Sequence, residues 1–265
     1  MEQLNGEDKI TWQQRIDEVM KCKDNKDIPR VPSAGLIINN KLIMHNGIKV
    51  DPLSYCNYPM LKMLMLNKGV HEPQEEKIFQ EVLNSLNPKN EKVMFELGSY
   101  WSFYSIWFKT IFPNSKCYMI EPELINLSYG KLNFRINNFK GTFINSFIGI
   151  ETNKKINIIS IDQFCSERKI NFIDILHSDI QGSELEMLQG CRRMLSENRV
   201  GYFFISTHSN ELHYSCLNFL KNEYNFSLVA SADLNESFSW DGVLVMKSHH
   251  YMGKEKIEIS KKPIE

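Results

Sequence analysis

Val93-Met94-Phe95-Glu96-Leu97-Gly98 decides the fold: a short apolar run carrying one acid and ending on a glycine. Such a run, bounded by a turn residue, reads as a buried strand, and Trp101 to Phe112 behind it is helix-length and stopped by Pro113. The alternation repeats toward the C-terminus. Lys116 to Ile120 is a second strand, ending in Glu121-Pro122-Glu123, followed by a helix over Leu124 to Asn137 and a third strand over Thr142 to Ile150. After a connection through Ile161-Asp162-Gln163-Phe164 come a fourth strand (Phe172 to Leu176), an amphipathic helix (Ser183 to Leu195), a fifth strand (Gly201 to Ser206) and a helix (Glu211 to Tyr224). Phe226 to Ala230 and Gly242 to Met246 close the series. Strands and helices in this order predict an α/β fold with a seven-stranded, mostly parallel sheet covered by helices on both faces. Ligands of such sheets collect at the carboxyl ends of the strands.

Upstream, residues 1–90 read as an α+β extension. Gly35 to Ile38 and Leu42 to Met44 flank Asn39-Asn40, the chemistry of a tight hairpin turn. Pro59 to Leu66 is helical, and a second helix starts near Pro73 with Ile78, Phe79, Val82, Leu83 and Leu86 on one face. The main domain spans 91–250. Residues 251–265 form a polar tail whose lysines (Lys254, Lys256, Lys261, Lys262) read as solvated.

Bulk properties exclude several classes. The 265 residues are 42% hydrophobic and 24% charged with a formal net charge of −1, which suits a globular protein and offers no basic field for nucleic acid or an anionic membrane. The six cysteines form no CxxC pair, so zinc-ribbon and thioredoxin-like chemistry lack support. Neither a signal-peptide core nor an apolar run long enough for a membrane span is present in the sequence. A cytoplasmic protein with reduced thiols is the expectation.

Chemistry concentrates at four predicted strand ends. Glu96-Leu97-Gly98-Ser99 puts a glycine beside a helix N-terminus, where backbone can approach a ligand closely. No glycine follows until Gly130, so the dinucleotide fingerprint is absent and a pyrophosphate cofactor is disfavoured. Glu121 ends the second strand, where a carboxylate can accept hydrogen bonds from both hydroxyls of an adenosine ribose. The fourth strand runs into His177-Ser178-Asp179-Ile180-Gln181-Gly182-Ser183-Glu184, with His177 and Asp179 at i and i+2 and so directed to one side. Gly182 and Ser183 supply a turn and an N-cap, and Asp179 can alternatively serve only the helix start. His208 follows the fifth strand.

These residues carry a resemblance. Phe95-Glu96-Leu97-Gly98, Ile120-Glu121-Pro122, Ile161-Asp162-Gln163-Phe164 and Asp174-Ile175-Leu176-His177-Ser178-Asp179-Ile180-Gln181-Gly182-Ser183-Glu184-Leu185 are similar to segments of the FkbM family of methyltransferases. The last is the most specific, matching the pattern D-x-x-K-I-D-x-E/Q-G-x-E, with His177 where the family commonly has lysine. The similarity covers roughly residues 92 to 248. It implies a Rossmann-like class I methyltransferase fold and S-adenosylmethionine as methyl donor. Glu96, Gly98 and Ser99 would border the methionine part, Glu121 would hold the ribose, and Ser146 would lie near the adenine. Asp179, counted with both the cofactor and the catalytic residues, would sit at the methyl-acceptor pocket.

The implied reaction is O-methylation of a sugar, nucleotide-linked or part of a capsule or other glycan (a heptose among the options), in bacterial polysaccharide biosynthesis. A hydroxyl needs a general base or a metal that lowers its pKa. His177, Asp179 and His208 are the candidates for the base, with His208 favoured because neutral imidazole suits near-neutral pH, and the same three residues can hold a divalent cation. Gln181, Tyr100, Trp101 and His71 are candidate acceptor contacts. The extension is expected either to cover the acceptor pocket or to build a homodimer. Competing expectations are a natural-product O-methyltransferase, methylation of nitrogen or nucleic acid, and a non-catalytic nucleoside-binding scaffold.

Overall fold

Val93–Leu97 forms strand β4, buried on both faces as its unbroken apolar character requires. The computed structural model of the chain describes residues 6–263, with side chains from residue 12 onward. Around β4 the sheet is completed by β5 (Lys116–Ile120), β6 (Thr142–Ile144), β9 (Ile173–Ser178), β10 (Val200–Thr207), β11 (Ser227–Ala232) and β12 (Gly242–Lys247). Its order is β11-β12-β10-β9-β4-β5-β6, with β12 antiparallel to both neighbours and the other pairs parallel. From β4 the chain steps outward through β5 and β6, then returns to place β9 on the other side of β4. The strand order therefore reverses between β4 and β9, opening a crevice beyond their carboxyl ends.

The seven strands sit where the sequence places them, but three connections differ. The run read as one strand over Thr142 to Ile150 breaks at Asn145: β6 stays in the main sheet, while β7 (Phe147–Ile148) pairs with β8 (Ile158–Ile159) in a separate two-stranded sheet. Ile161-Asp162-Gln163-Phe164 opens a helix, α6 (Ile161–Arg168), capped by Ser160 accepting from Gln163 N–H. The predicted helix over Ser183 to Leu195 is two short ones, α7 (Glu184–Gln189) and α8 (Arg192–Ser196). A side chain at the intervening Gly190 would run into the Gly149 and Ile150 carbonyls, so the break is where the β7 turn packs closest. Ser183 makes no capping bond; Glu184 folds back instead and accepts from the N–H groups of Ile180 and Gly182, both at 3.2 Å.

In the extension, β1 (Ile37–Ile38) and β2 (Lys41–Ile43) form the expected hairpin, with Asn39 and Asn40 both at positive φ, and β3 (Lys49–Val50) joins them. Helices α1 (Gly6–Lys21), α2 (Tyr58–Leu66) and α3 (Pro73–Ser85) pack with α4 (Phe103–Ile111) and α5 (Leu124–Ile136) around one face of the sheet. Ile78, Phe79, Val82 and Leu83 of α3 share an apolar cluster with Ile175, Tyr202, Phe204 and Val245 of the sheet. The opposite face is covered by α6, α7, α8 and α9 (Asn210–Asn218) through Phe95, Leu176, Phe203 and Leu244. The tail is not free: Ile257 is buried, Ser260 donates to Asp24, and Lys261 and Lys262 pair with Glu236 and Glu18 at 2.6 and 2.7 Å, against the expectation that these two lysines are solvated.

The turn leaving β4 is strained. Gly98, Tyr100 and Ser102 all lie at positive φ (67°, 40° and 61°), and only the first is glycine. Ser102 sits at the N-cap of α4 in the left-handed region, caps nothing, and its buried hydroxyl has no partner. A left-handed non-glycine residue costs about 1–2 kcal/mol and a buried hydroxyl without a partner about 1–3 kcal/mol, against about 0.5–1 kcal/mol lost by making the unfolded chain more flexible with glycine. Ser102→Gly is therefore expected to stabilise the protein by about 1 kcal/mol, read as a higher urea midpoint at unchanged slope; a lowered midpoint would contradict this account.

Candidate active site

The crevice at the β4–β9 switch has a volume of about 430 Å³, within the range of small-molecule sites. Three strand ends build it: Gly98 and Tyr100 after β4, Glu121, Pro122 and Glu123 after β5, and Asp179, Ile180 and Gln181 after β9. Ser146, Phe147 and Ile148 close the far wall. No lysine or arginine lines it, whereas Glu121, Glu123 and Asp179 do. A cationic sulfonium fits such a wall; a pyrophosphate does not.

Gly98 is fixed by chain, not by ligand. A Cβ there would collide with the Asp179 carbonyl, and Asp179 N–H donates to Leu97 O at 2.9 Å. The two strand ends are thus in backbone contact at the floor of the crevice. Glu121 is held from two sides, accepting from Tyr100 N–H at 3.0 Å and Glu123 N–H at 2.9 Å. Burial, only partly offset by these amides, raises its pKa above the usual carboxylate value. Glu121 lines the crevice beside Asn126.

Other expected residues go elsewhere. Glu96, expected at the methionine part, does not line the crevice: its carboxylate accepts from Ser105 N–H at 3.0 Å, capping α4 in place of Ser102. Burial pushes its pKa up to about 7 against the opposing pull of His177 and the Ser105 amide. Ser99 is buried and likewise absent from the crevice wall. Ser146 lines it, with its hydroxyl donating to the Asn157 carbonyl at 2.7 Å. Trp101 is buried between Tyr55 and Phe103, with ring centroids 4.5 and 5.2 Å away, so it packs the core rather than an acceptor.

His177 and His71 belong to a buried layer of acids and imidazoles under the extension. His177 Nε2 lies 2.7 Å from Glu75 Oε1, and its ring packs 4.2 Å from that of Tyr104. His71 Nδ1 is 2.6 Å from Glu76 Oε1, and Glu76 also meets His45 Nε2 at 2.9 Å. Glu76 caps α3 as well, accepting from the His71 and Glu72 amides. His177 and Asp179 therefore do not share a pocket; β9 ends at Ser178 and Asp179 turns off into the crevice.

Asp179, Gln181 and His208 do meet. His208 Nε2 lies 3.2 Å from Asp179 Oδ1 and 3.4 Å from Asp241 Oδ1, while Nδ1 lies 3.0 Å from the fully buried Glu184. The Gln181 amide sits 2.9 Å from His208 Nε2 and 3.0 Å from Asp179. Burial alone would lower the His208 pKa, but the hydrogen bonds to Asp179 and Glu184 and the charge of Asp241 push it up to about 10. Carboxylates against both ring nitrogens favour the charged form and weigh against the expectation that His208 acts as a neutral base. Burial, with the charges of Asp179 and Glu72, instead pushes Asp241 up to about 7. Asp241 escaped the sequence reading, yet a signal exists: an antiparallel last strand begins where the parallel strands end, so the acid before Gly242 lands at the site. Phe147 and Ile148 were missed for another reason, the break of the supposed long third strand, and Asn126 because it sits in the first turn of α5 rather than at a strand end. Among the described residues no group of three or more His, Cys, Asp or Glu is arranged to hold a metal ion, and no helix is long and apolar enough to cross a membrane.

The strand order, with one antiparallel strand inserted next to the edge, and a carboxylate-lined crevice at the reversal define a class I methyltransferase fold. A family model described as the methyltransferase FkbM domain matches residues 135–228, which contain the Asp174–Leu185 segment. That stretch is similar to the methyltransferase FkbM domain, in line with the resemblance of the sequence. Solved structures with a similar fold include precorrin-6y C5,15-methyltransferase from Geobacter metallireducens GS-15 (13% identity, TM-score 0.45, covering 65% of this chain and 88% of that one). Another is M. capricolum TrmK in complex with S-adenosyl-homocysteine (13% identity, TM-score 0.46, covering 68% and 71%). The fold assignment rests on the strand order rather than on these distant likenesses. No curated protein matches the chain.

The two strongly raised imidazoles set a pH dependence. His71, which burial would depress but Glu72 and Glu76 push up to about 10, and His208, also at about 10, both lie above the ordinary 6.5. Their pairing stabilises the fold fully below the unfolded value and is lost as pH rises through the folded one. The melting temperature is expected to fall steadily between about pH 7 and 10; a flat profile would mean the imidazoles are neutral in the native state.

Proposed function

We propose that the protein transfers a methyl group from S-adenosylmethionine to a hydroxyl of a sugar, nucleotide-linked or within a glycan. The observation that carries this reading is the Asp179–His208–Asp241 cluster, whose first member forms part of the crevice wall. When bound, S-adenosylmethionine supplies an electrophilic methyl on a cationic sulfur. Glu121 is placed to accept the ribose hydroxyls, and the carboxylates of the wall complement the positive charge. A sugar hydroxyl attacks only as its proton leaves, and the two coupled carboxylates, Asp179 and Asp241, are the acceptors at hand. His208, with carboxylates against both ring nitrogens, is placed to orient Asp179 and Asp241. The base role thus moves from imidazole to carboxylate. The acid-rich acceptor side suits hydroxyl donors, and the absence of a basic stripe disfavours nucleic acid as acceptor.

Calorimetry with S-adenosylhomocysteine and methyl transfer to a panel of nucleotide sugars test the reading. Glu121→Ala is expected to weaken binding about tenfold or more, as lost hydrogen bonds to a carboxylate do. Glu96→Gln, which keeps the α4 cap, is expected to leave binding unchanged. Equal losses in both would show that the crevice is not the nucleoside site.

Asp179→Asn is expected to lower kcat by about 100-fold or more while S-adenosylhomocysteine still binds. In the wild type kcat is expected to rise with pH through about 7, where Asp241 titrates. Near-native turnover of the variant together with a pH-independent rate would remove the carboxylates from the mechanism.

A further inference from the structure

Gln181 occupies the point where the two polar groups of the crevice end come together. Its carboxamide nitrogen lies 3.0 Å from Asp179 Oδ1 and 2.9 Å from His208 Nε2, and those two atoms are 3.2 Å apart. Asp179 and Gln181 both line the crevice, whereas His208 and Asp241 are not among the residues of its wall. The carboxamide thus covers the imidazole from the crevice side. Gln181 is exposed and held at a φ of 56°, in the left-handed region that favours glycine. The main chain on either side of it is anchored, because Glu184 accepts from Ile180 N–H and from Gly182 N–H. Nothing lies within 4 Å of where a Cβ would stand at Gly182, so the space beside the turn is open. The side chain can swing out into it while the backbone stays in place.

A carboxamide fits this point badly. Glu184 faces His208 Nδ1 at 3.0 Å while Asp179 and Asp241 face Nε2, which favours a proton on each ring nitrogen. An N–H on Nε2 can only donate, and so can the NH2 group set against it, while the Asp179 carboxylate can only accept. Turning the carboxamide end for end satisfies the imidazole but sets oxygen against the carboxylate. Only an imidazole without the Nε2 proton lets the NH2 group donate both ways. A hydroxyl meets no such conflict: its oxygen accepts from Nε2–H and its hydrogen goes to Asp179. We infer that the point held by the Gln181 carboxamide nitrogen is the binding place of the acceptor hydroxyl, and that Gln181 is a placeholder which the acceptor displaces. This rests on the proposed methyl transfer and adds where the nucleophile sits and what it must be, a group that accepts and donates at one atom. An ether cannot donate to Asp179, and an ammonium cannot accept from Nε2–H. As the O–CH3 bond forms and the S–CH3 bond breaks, the hydroxyl proton passes to Asp179. Withdrawal of Gln181 also opens the crevice to His208 and Asp241.

The first test is the titration of His208, followed by imidazole NMR in the full-length protein saturated with S-adenosylhomocysteine. The three carboxylates that face the ring, Asp179, Glu184 and Asp241, are left in place in Gln181→Ala. That variant is expected to keep the His208 proton to about one pH unit higher than the wild type, since the carboxamide bonds only to an unprotonated Nε2. Gln181→Met, equally long but without an N–H, is expected to do the same. Equal or lower proton affinity in both variants overturns the inference, and so does a ring that keeps its proton in all three proteins across the folded range. The second test uses water as the hydroxyl. Crystals of Gln181→Ala with S-adenosylhomocysteine are expected to show an ordered water between Asp179 and His208; another side chain closed over that point would overturn the placeholder. For any nucleotide sugar that the wild type methylates, Gln181→Ala is expected to lower KM about threefold or more, the strength of the contact no longer to be displaced. A raised KM would make Gln181 a holder of the acceptor instead, and overturn the inference. Failure of the wild type to bind S-adenosylhomocysteine would strike the methyl-transfer site itself.

Discussion

The whole site depends on one approach of backbone to backbone. Gly98 lies against the carbonyl of Asp179, and the Asp179 amide closes onto Leu97. Without that contact the ends of β4 and β9 would part, and the crevice would lose its floor. A side chain at 98 is excluded twice, by φ and by collision. Because neighbouring strands lie only about 4.8 Å apart, two turns leaving adjacent strands on the same side must compete for space, and glycine is the residue that yields it. The acid at 179 is thereby delivered to the mouth of the cavity with its main chain already committed, so only its carboxylate is free to act.

The rest of that turn shows why the sequence signal was weak. Loops of this kind ordinarily use glycine where φ is positive, and the sequence offers none between Gly98 and Gly130. The backbone nonetheless takes the positive-φ path at Tyr100 and Ser102. Tyr100 repays some of the strain through its amide on Glu121 and its hydroxyl on Cys56. Ser102 has no such return. Glu96, on β4 itself, substitutes for the missing cap on α4. A motif search sees a missing glycine; the packing supplies the conformation anyway, because Trp101 and Phe103 are stacked into the core on either side of Ser102 and fix the path.

How much could be read in advance follows from the range of the forces involved. The strands other than the third, the asparagine hairpin, and the ends of α2 and α3 are local matters of periodicity, φ preference and proline, and they fell within a residue or two. Glu121 and Asp179 were legible because position at a strand end fixes their neighbourhood. His177 was not: its partner Glu75 lies 102 residues away. The same holds for Asp241, which reaches His208 only because β12 runs backward through the sheet. Spacing along the chain carries no information about such pairs, and a histidine's role turns wholly on the pair it makes.

The two groups of acids and imidazoles also differ in what they can do, and burial explains the difference. Glu75, Glu76, His71 and His177 are almost wholly shielded, each acid meeting an imidazole within 2.7 Å, so their charges cancel locally and hold the extension on the sheet. At the crevice, three carboxylates converge on one imidazole, so the local charge cannot cancel within the cluster. One of them, Glu184, is fully buried and spent on backbone amides as well. The excess therefore falls on Asp179 and Asp241, where water and ligands can reach it. In the proposed reaction a cationic methyl donor would relieve part of that excess on one side, and removal of a hydroxyl proton by either acid would relieve it on the other. The chemistry is drawn to this end of the sheet by an imbalance that the buried layer, a few ångströms beneath, does not have.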